Sequence, residues 1–549
     1  MKSNQVRILY GCFSILFLLI ATPTSAQPAI PQTSNFPAVT QVENQVSIAS
    51  PGRNAPVTAD IPALLERAGI PPENLLTSNG IHNPLLPLSE GDYQWHTFYG
   101  SGAEDQGNGI AVDGSGGVYV TGYSYSSWDG PAGQAPLHAY SEYYDLTVLK
   151  LDASGAYQWH TFYGSISEDI GYGIALDGNG GVYIIDRSSR SWDGPEGQAP
   201  LHAFSGPYEI AVLKLDASGA YQWHTFYGST SSDWGNGIAV GGSGEVYISG
   251  SSESSWNGPA GQAPLQAYTG YYDIAVLKLD ASGAYQWHTF YGSTNGDWGY
   301  SIVVDGNGEV YISGSSESSW NGPEGQAPLH AHSGYNEIAE LKLDASGAYQ
   351  WHTFYGSANG DWGSSIAADG SGGVYITGSS DSSWNGPEGQ APLHAHSGYR
   401  DITVLKLDAS GAYQWHTFYG SIDSDSSYGI AVDDSGGVYI TGYSESSWNG
   451  PAGQAPLHSH SVYFEIAVLK INTSGGFQWH TFYGTNNEDV GYGIALDGSG
   501  WIYITGHSVS PWDGPAGQAP IHAHSGNDDI TVLKLQSIPY RIYLPLTVR

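Results

Sequence analysis

Cysteine is almost absent from this chain. The one copy, Cys12, lies in an apolar N-terminal run from Ile8 to Ala21. Lys2 and Arg7 precede that run, and Thr24-Ser25-Ala26 follows it in the small-residue form of a signal-peptidase site, so residues 1–26 read as a removed signal peptide. The run is shorter than the roughly 20 apolar residues that cross a bilayer. No later stretch qualifies, and no transmembrane segment is expected in the mature chain. Lacking thiols beyond residue 26, that chain has no disulfides, thiolate metal sites or cysteine nucleophiles. Its stability has to come from a packed core.

Cations are scarce as well: 16 Lys and Arg stand against 52 Asp and Glu, for a formal net charge of -36. A surface this acidic repels phosphates, which excludes nucleic acid as a partner. Neutral ligands, cations and basic partners remain.

What the chain has in abundance is repetition. WHTFYG begins at Trp95, Trp159, Trp223, Trp287, Trp351, Trp415 and Trp479, always 64 residues apart. A second tryptophan, in S-W-[DN]-G-P or P-W-D-G-P, keeps the same register at Trp128, Trp192, Trp256, Trp320, Trp384, Trp448 and Trp512. Within the first unit, GIAVD (109–113) and GVYVTG (117–122) flank a Gly-Ser-Gly turn, and DLTVLKLD (145–152) and YQWHTFYG (157–164) flank Ala-Ser-Gly-Ala. Four strands per repeat, with bulky residues on both faces of the last, predict sheets stacked radially. The fold expected is all-β, a seven-bladed β-propeller over residues 93–538. The first strand, 93–100, should pair with the partnerless last one, 529–535. The competing tail RIYLPLTVR carries Pro545, which removes a ladder donor. Residues 27–92 read as a Pro/Ser/Asn-rich linker with one short helix at 61–68, and residues 539–549 as a tail. A monomer is expected.

The order W-x-T-x-Y-G, an acid, G-I-A-[VL]-D, G-V-Y-[IV]-T-G and [DE]-I-x-V-L-K-L-D over residues 93–537 resembles the SBBP repeat family of exported bacterial β-propellers. It is also similar to NHL-type propellers, in which the GIAVD-like strand is innermost. The resemblance implies export and the fold, with no single activity. This chain adds about 20 residues between the second and third strands of each repeat, and function is expected in those insertions.

The insertions carry the seven tryptophans just named, together with His138, His202, His330, His394, His458 and His522. These residue types stack on sugar faces and hydrogen-bond hydroxyls, so they are the candidate binding residues. The alternative is that each tryptophan pins its loop to a neighbouring blade. H-x-H pairs such as His330 and His332 suggest zinc, but Tyr140, Phe204, Tyr268 and Gln266 at equivalent positions favour aromatic packing, and no metal or cofactor is expected. Lys150, Lys214, Lys278, Lys342, Lys406, Lys470 and Lys534 share one repeat position. Asp105, Asp169, Asp233, Asp297, Asp361, Asp425 and Asp489 share another and are candidate structural ion-pair partners for them. Glu104-Asp105, Glu168-Asp169 and Glu488-Asp489 superficially suggest a glycosidase pair, but the first acid is missing from four repeats. An irregular stretch, Ile185 to Arg190, adds no nucleophile and base. These features point to a non-catalytic extracellular binding or scaffold propeller for carbohydrate or a surface protein. The alternatives are a polysaccharide-active enzyme with acids such as Asp233 or Asp297 at the ring mouth, or a purely structural cell-surface repeat.

Overall fold

A computed structural model describes residues 38–42, 45–49, 57–59 and 90–537. The expected leader, the helix at 61–68 and the tail lie outside these residues. Within the segment read as a linker, Ala38–Val42, Gln45–Ala49 and Val57–Ala59 form a small antiparallel sheet. It belongs to a unit separate from residues 93–535.

Residues 93–535 form seven four-stranded antiparallel sheets. In the first blade the strands are Asp105–Val112, Val118–Ser124, Asp145–Leu151 and Tyr157–Tyr163. The first strand of each blade touches the first strands of both neighbours, and Asp489–Leu496 meets Asp105–Val112, so these strands line the axis of a closed ring. The seventh blade is completed by Tyr93–Tyr99, which pairs antiparallel with Asp529–Gln536, Lys534 opposite Trp95. The closure expected from the strand count is therefore observed.

Strand order alone would bring the seven insertions out on one face, but each insertion instead covers the outer strand of its blade. Leu137 N–H donates to His160 C=O (2.9 Å) and Phe162 N–H to His138 C=O (3.2 Å), so the open edge of the blade has its backbone groups engaged. The loop descends past the outer strand and then returns along it. The physical reason is the outer strand itself, which presents an unpaired row of amides and an aromatic face that both need cover.

Neighbouring blades are clasped by the two tryptophan series. Trp159 lies against the turn glycine of the next blade, Gly219, where an added Cβ would come within 3.1 Å of the indole. Gly219 has a φ of 82°, so the turn and the contact both require glycine.

Candidate functional site

The insertion tryptophans are pins. All seven are 6–7% exposed. Trp320 stacks on His352 (3.9 Å, 9°) and meets Phe354 edge-on (5.6 Å, 89°), while Tyr291 of the preceding blade closes the third side (5.9 Å). The histidine of WHTFYG is the centre of this cluster. His352 Nε2–H donates to Trp320 C=O (3.0 Å) and Nδ1 accepts from Tyr349 OH (2.8 Å), which fixes a neutral tautomer. Burial pushes its pKa down to about 4, as it does for His96, His160, His224, His288, His416 and His480.

The insertion histidines are similarly committed. His330 Nδ1 donates to Phe354 C=O (2.6 Å) and its ring stacks on Tyr355 (4.9 Å), while His332 Nε2 donates to Ser316 C=O (2.9 Å). His138, His202, His394, His458 and His522 repeat the first arrangement. The insertion histidines thus have one ring nitrogen and one ring face engaged within their own blades, and the insertion tryptophans are enclosed by their own blade and the tyrosine of the preceding one. Trp128 and Trp512 donate to Ser124 and Ser508 (3.1 Å each), while the indole N–H groups of the other five are buried without a partner.

The lysine and aspartate series do not meet, which corrects the expected ion pairs. Lys150 is in register with Tyr119 and Trp159, whereas Asp105 is in register with Ser124 and Asp145 at the opposite end of the blade. A shared repeat period places residues on the same blade without placing them at the same end. All seven lysine ammoniums instead sit 3.7–4.9 Å from the centroid of a tyrosine ring. Lys150, Lys214, Lys278, Lys342 and Lys534 also donate to an alanine carbonyl of the next blade (2.8–3.3 Å). Lys342 and Lys406 do find acids, but these are Glu309 and Asp369.

The seven aspartates are fully buried at the start of the inner strands. Asp297 Oδ2 accepts from Ser293 N–H (2.6 Å) and Ser293 Oγ (2.8 Å), and Oδ1 accepts from Ser316 Oγ. Burial pushes the carboxyl up to about 7 against the pull of these bonds, and the other six behave alike. None of them is open to a substrate. In the irregular blade Asp186 is fully buried, and burial followed by the Asp169 charge holds its pKa well above the carboxylate range against a hydrogen bond from the Ile170 backbone.

What does face solvent was not singled out from the sequence. Just before the third strand, Tyr143, Tyr271, Tyr335, Tyr399 and Tyr463 occupy one repeat position and are 49–69% exposed. They recur around one end of the ring. Between the fourth and fifth blades, Tyr335 and Tyr399 flank an open groove of about 580 Å³ with Ala358, Asn359, Gly360, Gly398 and Asp381. A fixed backbone carries this groove: Asn336 bridges to Gly360, and Asp361 N–H donates to Asn336 C=O (2.9 Å).

The same rim carries one acid per blade at a conserved place in the geometry, supplied from two different sequence positions. Glu104, Glu168 and Glu488 precede the inner strand, whereas Glu253, Glu317, Asp381 and Glu445 follow the second strand of the other four blades. The two positions are backbone partners, as Tyr125 N–H to Glu104 C=O (2.9 Å) and Glu317 N–H to Gly296 C=O (3.0 Å) show. The acid missing from four repeats in one alignment column is present in the other. Tyr144 donates to Glu104 (3.3 Å), Tyr208 to Glu168 (3.1 Å) and Tyr272 to Glu253, while Arg400 donates to Asp381 (2.8 Å).

A closed ring of seven blades with insertions folded over its wall defines a β-propeller that presents one tyrosine- and acid-rimmed face. Residues 94–127, 286–319, 350–383 and 414–447 match the family described as SBBP, beta-propeller repeat. Regulatory protein FlaEY of Caulobacter vibrioides is 26% identical over 351 residues, 59% of this chain and 35% of that protein's length. Similar solved structures include an ulvan lyase of polysaccharide lyase family PL25 (11% identity, 84% of this chain and 97% of that one, TM-score 0.40). A gluconolactonase from Xanthomonas campestris is another (11% identity, 83% and 100%, TM-score 0.32).

Proposed function

We propose that this chain is an exported, non-catalytic binding propeller whose tyrosine-rimmed face recognises carbohydrate. The observation that carries this reading is the groove between Tyr335 and Tyr399, where two exposed phenol rings stand beside the Asn359 amide and the Asp381 carboxylate. Flat aromatic faces stack on the apolar side of a pyranose, and amide and carboxylate groups bond its hydroxyls. Repetition of the tyrosine around the ring suits a polymer that engages several weak sites at once. The rim acids hold positions, Asp381 against Arg400 and Glu253 against Tyr272, and this supports binding over turnover.

The test is affinity for a panel of soluble polysaccharides. Each of Tyr335→Ala and Tyr399→Ala should weaken the best ligand about tenfold, a loss of roughly 1.4 kcal/mol. Leu329→Ala on the outer wall should leave affinity unchanged. A panel that binds nowhere, or a double tyrosine variant that binds as the parent does, ends the proposal.

A further inference from the structure

At the end of the ring that carries the rim, below its surface, a second feature repeats at every blade junction. The first-strand aspartate of one blade reaches the glycine that ends WHTFYG in the blade before it. The third-strand acid of that preceding blade reaches it too, through its carboxylate where it is aspartate and through Cγ at Glu209 and Glu337. Asp273 Oδ1 and Asp297 Oδ2 lie 2.7 and 2.9 Å from the point where a Cβ on Gly292 would sit. At Gly420 the corresponding atoms, Asp401 Oδ1 and Asp425 Oδ2, are both 2.8 Å away, and at Gly100 Asp529 Oδ1 and Asp105 Oδ2 are 2.8 and 2.9 Å away. Any side chain on the glycine would enter the space between the carboxylates.

All of these acids are 0–1% exposed. Five of the seven junctions leave a carboxylate oxygen that no donor of the chain reaches: Glu209 Oε2, Asp273 Oδ1, Glu337 Oε2, Asp401 Oδ1 and Glu465 Oε2. At the other two junctions, Asp145 with Asp169 and Asp529 with Asp105, the carboxylates are satisfied by serine and backbone donors. Two buried carboxylates with an unengaged oxygen need a positive partner. The repeat lysines are at the other end of the blades. Other oxygens crowd the same place: Thr269 Oγ1 is 3.0 Å from Asp273 Oδ2, 3.0 Å from Gly292 O and 3.3 Å from Ser293 O. Carboxylates, a hydroxyl and carbonyls form an all-oxygen set, which suits a hard cation of flexible coordination.

We propose that the five blade junctions with an unengaged carboxylate oxygen are calcium sites that tie one blade to the next. Gly292 is glycine because the two carboxylates need that space with or without an ion, as Gly164 is between Asp145 Oδ1 (2.9 Å) and Asp169 Oδ2 (3.0 Å). Asp145 with Asp169 and Asp529 with Asp105, already satisfied by serine donors, take no ion.

The full chain, stripped with a chelator and titrated with Ca²⁺ at pH 7.5, should bind about five ions. Its unfolding midpoint should rise by about 10 °C at millimolar Ca²⁺, because the ion binds only the folded ring. Mg²⁺ at the same concentration should raise it far less. Asp273→Asn and Gly292→Ala should each remove one ion from the count, whereas Asp145→Asn should remove none. The titration of the parent chain decides the matter even if a variant folds poorly. Neither heat of binding nor a Ca²⁺-dependent midpoint would overturn the proposal and leave each pair sharing a proton. A loss of ions with Asp145→Asn equal to that with Asp273→Asn would overturn the assignment of sites.

Discussion

A chain lacking residues 93–99 is expected to lose cooperative unfolding and to melt more than about 10 °C below the parent. This strand is the outer member of a blade whose other three strands come from the far end of the chain. His96, Thr97, Phe98 and Tyr99 are buried. His96 stacks on Trp512 (3.8 Å, 8°) and donates to its carbonyl (2.8 Å), so removing the strand also frees the insertion of that blade. Burial of Phe98 and Tyr99 alone contributes about 3–6 kcal/mol, against a typical domain total of about 5–15 kcal/mol. The backbone groups of Asp529–Gln536 would lose their partners as well. Scanning calorimetry with limited proteolysis checks this: the shortened chain should show a broadened transition and early cleavage in residues 489–536. A midpoint equal to that of the parent would mean that another segment, such as RIYLPLTVR, can take the place of the strand.

The ring was legible because a strict 64-residue period with four β-rich runs has few solutions, and the repeat array opens on the strand, Tyr93–Tyr99, that its last repeat lacks. The inner strands were less legible. They begin at Asp105, not Gly109, because Asp-Gln-Gly-Asn has a turn-like composition, yet it continues the ladder through a bulge between Gly107 and Gly109. The site was harder still. Trp, His and Pro drew attention in the insertions, but large apolar rings next to an uncovered strand are taken up by that strand. Tyr335 and Tyr399 remain outside because they sit on the short return to the third strand, where nothing packs above them. The rim acids escaped a column-by-column comparison because backbone pairing makes positions 21 residues apart equivalent, a relation that exists only once the strands are paired.

The largest pH effect should appear as a difference between variants, because two buried series oppose each other. The WHTFYG histidines titrate near 4 in the folded ring against an ordinary value of 6.5. Between those values the unfolded chain binds the extra protons, so the histidines favour folding less and less as pH falls from 6.5 to 4. The inner-strand aspartates titrate near 7 when folded against 3.8 otherwise. Here the folded chain holds the extra protons, so these residues favour folding at low pH and oppose it progressively as pH rises from 3.8 to 7. Seven of each nearly cancel between 4 and 6.5, and the parent should be flat there and weaken above 6.5 when no cation is supplied. Asp297→Asn removes one opposing member. Its stability relative to the parent should improve by up to about 4 kcal/mol on going from pH 4 to pH 7.5. His352→Gln should do the reverse, gaining on the parent as pH falls from 6.5 to 4 by up to about 3 kcal/mol, superimposed on a constant loss from the broken Tyr349 and Trp320 bonds. Denaturant midpoints at four pH values, with chelator present, measure both differences. Parallel curves for parent and variants would show that neither series changes protonation on folding, and added Ca²⁺ should abolish the decline above pH 6.5 if the junction carboxylates hold the ion.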